Sequence, residues 1–250
     1  FSMNLARGME VLRAFTLADP VLGNREISDR TGLPKPTVSR LTYTLTLLGY
    51  LSRVDSLQKY RLGSGVLSLG YPLLANMRVR QIARPIMEKL AQETGCTVNL
   101  GIRDRTSVVY INTCRVDGGN VYQPDIGSTR PLLSTAIGRA LILAGTARAR
   151  GAILNRLKVE DPQRFALDKP QWEADQKAFG QCGYCYSRGD WRKEVHAVAA
   201  PIRQTRHEEI VALNCTLSAH RATKDTLEKR VAPRLLDAVR LIEAACGTPY

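Results

Sequence analysis

The chain reads as an α+β protein with a winged helix-turn-helix at the N-terminus, then a linker helix, then a sheet flanked by helices. Three observations predict this. One apolar set, Ile27, Leu33, Val38, Leu41, Leu45 and Leu48, has the spacing of two short helices packed across a turn at Gly32. Two strand-like segments separated by a polar loop follow directly, as a wing would. Beyond Gly95 short strands and helices alternate, the texture of a sheet that binds small molecules. The chain is therefore divided into a winged helix-turn-helix, 1–63, a single helix, 64–78, and a sheet domain with flanking helices, 79–250.

A chain of 250 residues is long enough to bury two cores. Lys and Arg outnumber Asp and Glu by 36 to 23, a net charge of +13. Eleven basic and five acidic residues fall within 1–80, so positive charge is densest at the N-terminal end, where it attracts phosphate backbones or anionic membranes. No apolar run approaches the roughly 18 residues that span a bilayer, and the N-terminus lacks a basic-then-apolar leader. We expect a soluble, cytoplasmic protein with no membrane partner, and set Phe1-Ser2-Met3 aside as a remnant of cloning. Six scattered cysteines, most among apolar neighbours, fit a reducing compartment.

The first helix carries Leu5, Met9, Leu12 and Phe15 on one stripe and ends before Asp19-Pro20. In the second unit of the helix-turn-helix, Pro36 suits a first helical position, where no amide hydrogen is needed. Residues 49–53 and 60–63 read as the wing strands, with Val54 to Gln58 as their loop. Val66, Leu69, Leu73 and Met77 recur at helical spacing, with a kink expected at Pro72. That stripe either joins two subunits or packs on its own domain. A linker has little core of its own to cover, which favours a dimer, and two-fold symmetry then implies a roughly palindromic operator.

Arg78 to Thr94 continues as a helix with Ile82, Ile86 and Leu90 inward, closed by Gly95. Residues 97–103 and 107–115 read as a hairpin around Asp104-Arg105. Helices are expected over 135–144, 147–157 and 171–180, and a second hairpin over 195–202 and 209–217, turning at Gln204 to His207. A final helix runs from Lys224 to Cys246.

If Val38, Leu41, Leu45 and Leu48 face inward, rotation of about 100° per residue turns Thr37, Arg40, Tyr43 and Thr44 outward, with Lys35 and Pro36 at the leading end. Arg40 is the candidate base reader, since its planar fork matches guanine O6 and N7. Lys35, Thr37, Ser39 and Thr44 are candidates for phosphates, and Arg53, Lys59 and Arg61 on the wing for the flanking backbone. The competing reading is a solvated polar face on an ordinary helical hairpin.

With these segments placed, the chain resembles the IclR family of bacterial transcription regulators over essentially its whole length. The carriers are Gly32-Leu33-Pro34-Lys35-Pro36-Thr37-Val38-Ser39-Arg40-Leu41, Leu48-Gly49-Tyr50-Leu51, Tyr60-Arg61-Leu62-Gly63, Gly127-Ser128, Pro131-Leu132, Thr135-Ala136-Ile137-Gly138-Arg139-Ala140-Leu141, Gly183-Tyr184 and Ala199-Ala200-Pro201-Ile202. The resemblance implies a linker helix that helps dimerise the winged helix, an effector-binding domain similar to GAF and PAS sensors, and dimers that pair into tetramers. It implies a ligand-responsive regulator of catabolic or transport genes, with no cofactor, no metal and no catalysis. Repression and activation both fit.

Thr135 opens a helix, so the amides of Ser134, Thr135 and Ala136 face the preceding loop as an anion site. By the resemblance, the pocket lies between that loop, the segment after Gly183-Tyr184 and the two following strands. A position often acidic in the family falls on Ser187, a frequent pocket cysteine on Ala197, and a pair of hydroxyl positions on Asn214 and Thr216, two apart on one strand face. Relatives that bind small oxoacids carry an Asp-rich segment where this chain has Ser187-Arg188-Gly189-Asp190-Trp191-Arg192. This departure suggests an anionic, aromatic effector, with Arg188 or Arg192 neutralising a carboxylate and Trp191 or Tyr184 covering the ring. The alternative is that both arginines are solvated on a surface loop.

Cys182 and Cys185 have metal-pair spacing but no second pair, and with three histidines in the chain a tight turn flanked by cysteines explains them better than zinc or a thiol switch. Gly63-Ser64-Gly65 lacks the third glycine of a dinucleotide site. Two rivals remain: an enzyme with a winged-helix appendage using Cys185, His196 and Asp190, and a basic module whose helix-turn-helix binds protein.

Overall fold

A computed structural model describes residues 1–116, 124–203, 210–223 and 225–247, and the chain divides into two units, Phe1–Asn76 and Met77–Tyr250. The first contains α1 (Met3–Arg13), β1 (Val21–Leu22), α2 (Asn24–Thr31), α3 (Lys35–Leu47), β2 (Leu51–Val54), β3 (Lys59–Leu62) and α4 (Ser64–Asn76). Gly32 ends α2 in the left-handed region, φ 69°, which a side chain would strain. The Ser28 hydroxyl donates to the Leu33 carbonyl at 2.6 Å and fixes the turn into α3. Val11, Phe15, Leu22, Ile27, Leu33, Val38, Leu45 and Leu51 form one core.

Several details of this unit differ from expectation. Leu48, expected inward, is 61 % exposed because α3 stops at Leu47 and the chain turns outward at Gly49. Thr42 takes an inward position instead, its hydroxyl 3.1 Å from the Ser39 carbonyl, which removes the cost of burying it. Pro36 is the second residue of α3, not the first. Helix α1 stops at Arg13, although Phe15 beyond it is still buried. The wing strands β2 and β3 pair antiparallel from Leu51↔Leu62 to Val54↔Lys59, and the unforeseen β1, too short to show a period, pairs with β3. Helix α4 continues through Pro72, and none of its residues is buried.

The second unit contains α5 (Arg78–Thr94), β4 (Thr97–Asp104), β5 (Ser107–Cys114), β6 (Thr129–Pro131), α6 (Ala136–Ala144), α7 (Ala147–Glu160), α8 (Pro162–Cys182), β7 (Cys185–Arg188), β8 (Val195–Ile202), β9 (Val211–Ser218), a π-helical stretch (Thr226–Val231) and α9 (Ala232–Ala245). The strands form one antiparallel sheet in the order β6-β5-β4-β9-β8-β7. Because side chains alternate, Ala197 and Ala199 of β8 join the cluster around α6 while Val198 and Ala200 point to the face covered by α5 and α9. Helices on both faces explain why β4, β8 and β9 are buried almost throughout.

Helix α5 is rotated from expectation: Val79, Ala83, Met87 and Leu90 are buried, with Ile82 and Ile86 on the flank. Helix α8 begins nine residues earlier than expected, at Pro162, because the Asp161 carboxylate accepts the Arg164 amide at 2.9 Å and the helix tolerates Pro170. The expected turn Gln204 to His207 and the helix start at Lys224 lie outside the described residues. Gly138 in the first turn of α6 is required by space: a Cβ there would stand 1.8 Å from the Leu132 carbonyl oxygen. Among the described residues no helix is long and apolar enough to cross a membrane.

Candidate functional site

Helix α3 presents Lys35, Pro36, Ser39, Arg40, Tyr43 and Thr44 to solvent, with Thr37 half-buried. Among the described residues, Lys35, Arg40 and Arg61 have no ion-pair partner, so their charge is available to an incoming polyanion. The Thr44 hydroxyl is spent on its own helix, donating to the Arg40 carbonyl at 3.0 Å. Thr37, Arg40 and Thr44 also form one rim of a cleft of about 520 Å³ whose apolar walls include Leu5, Met9, Leu48 and Leu69.

On the wing the three basic residues differ. Arg61 is exposed on β3. Arg53 lies 3.2 Å from Asp55 and also reaches Gln58. Lys59 Nζ sits 2.7 Å from Glu26 Oε1, while Glu26 Oε2 accepts the Gly23 amide at 2.6 Å. That amide bond, and then Lys59, hold the Glu26 carboxyl below its ordinary value. Lys59 therefore ties the wing to the start of α2, and Arg61 is the wing cation with charge to spare.

In the second unit a small pocket is lined by Tyr110, Arg130, Thr135, Ala136, Ser187, Trp191, Val195, Ala197, Asn214 and Thr216. The strand register makes this inevitable for four of them, since Ser187 pairs with Ala197, Ala197 with Thr216, and Asn214 lies two residues from Thr216 on the same face. Thr135 caps α6, its hydroxyl accepting the Gly138 amide at 3.3 Å and lying 2.8 Å from the Pro131 carbonyl. Behind the lining runs a buried polar ladder: Thr113 donates to Asn99 Oδ1 at 2.8 Å, Asn99 Nδ2 to Asn214 Oδ1 at 2.8 Å, and Asn214 Nδ2 approaches the Tyr110 hydroxyl at 3.4 Å. Burial raises the Tyr110 phenol above its ordinary value, so it remains a neutral hydrogen-bonding group.

Seven of the ten residues expected around an effector line this pocket, and three do not. The Ser134 hydroxyl is turned away to Asp168, beside the Arg164 guanidinium. Tyr184 stands at the turn after α8, where its carbonyl accepts from Cys182 Sγ at 3.1 Å. Arg188 alternates with Ser187 along β7 and so points to the opposite face, where its guanidinium stacks 4.8 Å from the Tyr186 ring and Nε donates to the Tyr186 hydroxyl at 2.7 Å. Arg192 lies outside the lining, over the Trp191 ring at 4.7 Å.

Sequence reading missed Tyr110, Val195 and Arg130. Alternation along β5 places Tyr110 on the α6 face with Val108, a signal present in the sequence. Arg130 gave none, because the three-residue β6 is too short to show a period. It is the one charged group among the described lining residues, with its guanidinium 5.2 Å from the Tyr110 ring and 5.0 Å from the Trp191 ring. The lining therefore supplies one positive charge, neutral donors and acceptors, and aromatic walls, which is chemistry for binding a small anion.

Beneath the pocket, Arg139 of α6 is fully buried and bonded four times: to Asp175 at 2.6 Å, to the Leu133 and Tyr186 carbonyls at 3.0 and 2.7 Å, and to Asp190 at 2.8 Å. Arg164 adds a bond to the Asp190 carbonyl at 3.1 Å. Asp190 is thus tied down next to Trp191. The residues of the enzyme rival are not brought together: Cys185 pairs with Ala199 and faces α6, whereas His196 pairs with Arg188 on the other face. Burial pushes the Cys185 thiol well above its ordinary value, which suppresses the thiolate a nucleophile needs.

Comparison with known proteins agrees with this two-part design. The IclR helix-turn-helix domain matches residues 4–55, and the bacterial transcriptional regulator IclR C-terminal domain matches residues 72–244. The HTH-type transcriptional regulator TsaQ1/TsaQ2 of Comamonas testosteroni is 35% identical over 198 residues, 78% of this chain and 71% of its own length. The crystal structure of an IclR family transcriptional regulator from Brucella abortus, 38% identical, superposes with a TM-score of 0.88 over 98% of this chain and 92% of that one. The fold is also that of an IclR homolog from Microbacterium hydrocarbonoxydans crystallised with 4-hydroxybenzoate, 23% identical, with a TM-score of 0.71 over 98% of this chain and all (100%) of that one. A helix-turn-helix with an exposed polar second helix, joined to a sheet domain with a polar pocket, identifies the chain as a member of the IclR family of bacterial transcription regulators.

Proposed function

We propose that the protein binds a roughly palindromic operator as a dimer, or as a pair of dimers, and releases or tightens on it when a small aromatic carboxylate enters the pocket. Residues 1–63 are the DNA-binding part, 64–78 the linker and 79–250 the effector-binding part, and the regulated genes are catabolic or transport genes. The observation that carries this reading is the exposed flank of α3, with Lys35 and Arg40 unmatched by any carboxylate among the described residues. Arg40 reads a base edge, while Lys35, Ser39 and Arg61 hold phosphates. The effector acts by shifting the equilibrium between subunit arrangements, so operator DNA must change effector affinity by the same factor. We infer no catalytic role for Cys185 and His196, which lie on opposite faces of the sheet.

Self-association is supported by the apolar cleft beside α3 and by Leu69 and Leu73 of α4, 61 % and 56 % exposed. Sedimentation of Leu69→Glu should give a lighter species than the wild type, and an unchanged mass would remove α4 from the interface. The regulator reading as a whole is tested by selecting a binding site from random duplexes and titrating it at several salt concentrations. Counterion release predicts a steep fall in affinity with salt, and a selected site with two-fold symmetry. A protein that enriches no sequence and binds no duplex at low salt is not this regulator.

A further inference from the structure

We propose that the second unit carries a separate binding site for a phosphomonoester, clamped by Arg221, Arg230 and Arg234. It stands independently of the effector reading. The three arginines line a pocket of about 280 Å³ where the end of α5, the end of β9 and the π-helical stretch leading into α9 meet. Leu217 of the lining alternates with Thr216 along β9, so this pocket lies on the α5 and α9 face of the sheet, opposite the one lined by Asn214 and Thr216. Its volume is close to the roughly 300 Å³ at which small-ligand sites begin.

Charge is the first argument. Thr226, Arg230 and Arg234, four residues apart, stand along the pocket, while Leu227, Val231 and Leu235, one position on, are buried. Carboxylates on these elements are engaged elsewhere: Asp225 with Lys229 at 3.2 Å, Glu228 with Arg188 at 3.7 Å and Glu93 with Lys89 at 3.9 Å. Among the described residues none of the three arginines has an ion-pair partner. Arg234 donates to the Arg230 carbonyl at 2.9 Å and Arg221 to the Gly95 carbonyl at 3.4 Å, contacts that hold them in place without neutralising them. Like charges four apart on a helix repel, and an anion between Arg230 and Arg234 removes that cost. Three guanidiniums against the one carboxylate of Glu93 leave the lining two positive charges, a match for a phosphomonoester at about −1.5 to −2 near neutral pH.

Geometry is the second argument. A planar carboxylate is satisfied by one arginine fork, whereas a phosphate presents three oxygens in a tetrahedral array and takes donors from several directions. Here the donors come from three segments: Arg221 beyond β9, Arg230 in the π-helical turn and Arg234 in α9, with Thr226 beside them. The π-helical turn, closed by the Ala232 amide on the Leu227 carbonyl, is a rare geometry found mostly where it places functional side chains. Arg221 packs so closely on Gly95 that a Cβ there would stand 2.7 Å from Nη2.

The test is calorimetry on the full chain with inorganic phosphate and glucose 6-phosphate against succinate and glucose. The wild type should bind both phosphates, prefer them to succinate by about tenfold or more, and take no glucose. Arg230→Gln and Arg234→Gln should each weaken phosphate binding by about tenfold or more, while Arg148→Gln, which removes one charge from the exposed start of α7, should not change it. Arg230 and Arg234 are both exposed, so their glutamine variants should fold. If either does not, Arg230→Lys decides: it keeps the charge and loses the fork, so a guanidinium clamp predicts weaker binding and diffuse attraction predicts none of that loss. A wild type that binds neither phosphate, phosphate affinity that survives Arg230→Gln and Arg234→Gln, or succinate bound as tightly as phosphate overturns the proposal. None of these outcomes bears on the effector pocket across the sheet.

Discussion

The two sites of this protein are built in opposite ways. The α3 surface comes from one continuous segment, is open to solvent, and keeps its cations free of carboxylates. The pocket draws its lining from β5, β6, α6, β7, β8, β9 and the segment after β7, is small, and sets its cation against two aromatic rings. An open face can be exchanged residue by residue with little disturbance of the core, because most of its side chains point to solvent. A closed pocket shares its walls with the core, so changes of ligand preference there are coupled to stability.

This contrast can be broken most forcefully at Arg139. Arg139→Ala strands the buried Asp175 carboxylate and removes one anchor of Asp190, and should destabilise the second unit by about 3–5 kcal/mol in chemical denaturation. The first unit should unfold where it did before. A single shared shift of both transitions would show that the two units do not behave separately. Next in size, Arg40→Ala should weaken binding to the selected operator by about 1–3 kcal/mol and relax preference at one base pair, with melting changed by no more than about 0.5 kcal/mol. Loss of stability on that substitution would mean that the α3 surface is structural after all.

The smallest effect concerns the wing anchor. The Glu26 carboxyl is held below its ordinary value of 4.5 when folded, so its contribution is present above that pH and is lost as pH falls through the lower folded value. Acid denaturation of the first unit should therefore be less steep in Glu26→Gln than in the wild type. Identical acid profiles would show that the Gly23 and Lys59 contacts do not contribute.

The same contrast explains what could be read from residues alone. Periodicity along one helix is a local property, so Val38, Leu45 and the outward set around Arg40 were legible, and so were β4, β5, β8 and β9. Leu48 was misplaced because the helix end, not its period, decides that residue. The pocket partners on one strand, Asn214 and Thr216, followed from two-residue spacing. Arg130 did not, because its position depends on β6 pairing with β5 across some twenty residues of chain, a long-range event with no local mark. Ser134 was expected at the pocket for its amide at the start of α6 and Arg188 for the charge it brings to the segment 187–192, but the Ser134 hydroxyl bonds Asp168 outside the lining and strand alternation turns Arg188 to the other face.

The contact between Gly138 and the Leu132 carbonyl constrains how such a protein can diversify. Any heavier residue there would push the start of α6 off its loop and disturb the base of the pocket. On the proposed effector reading, new chemical tastes are acquired elsewhere, at strand positions such as Ser187 and Ala197, so descendants that answer to different metabolites should share an unaltered base and differ around the rim.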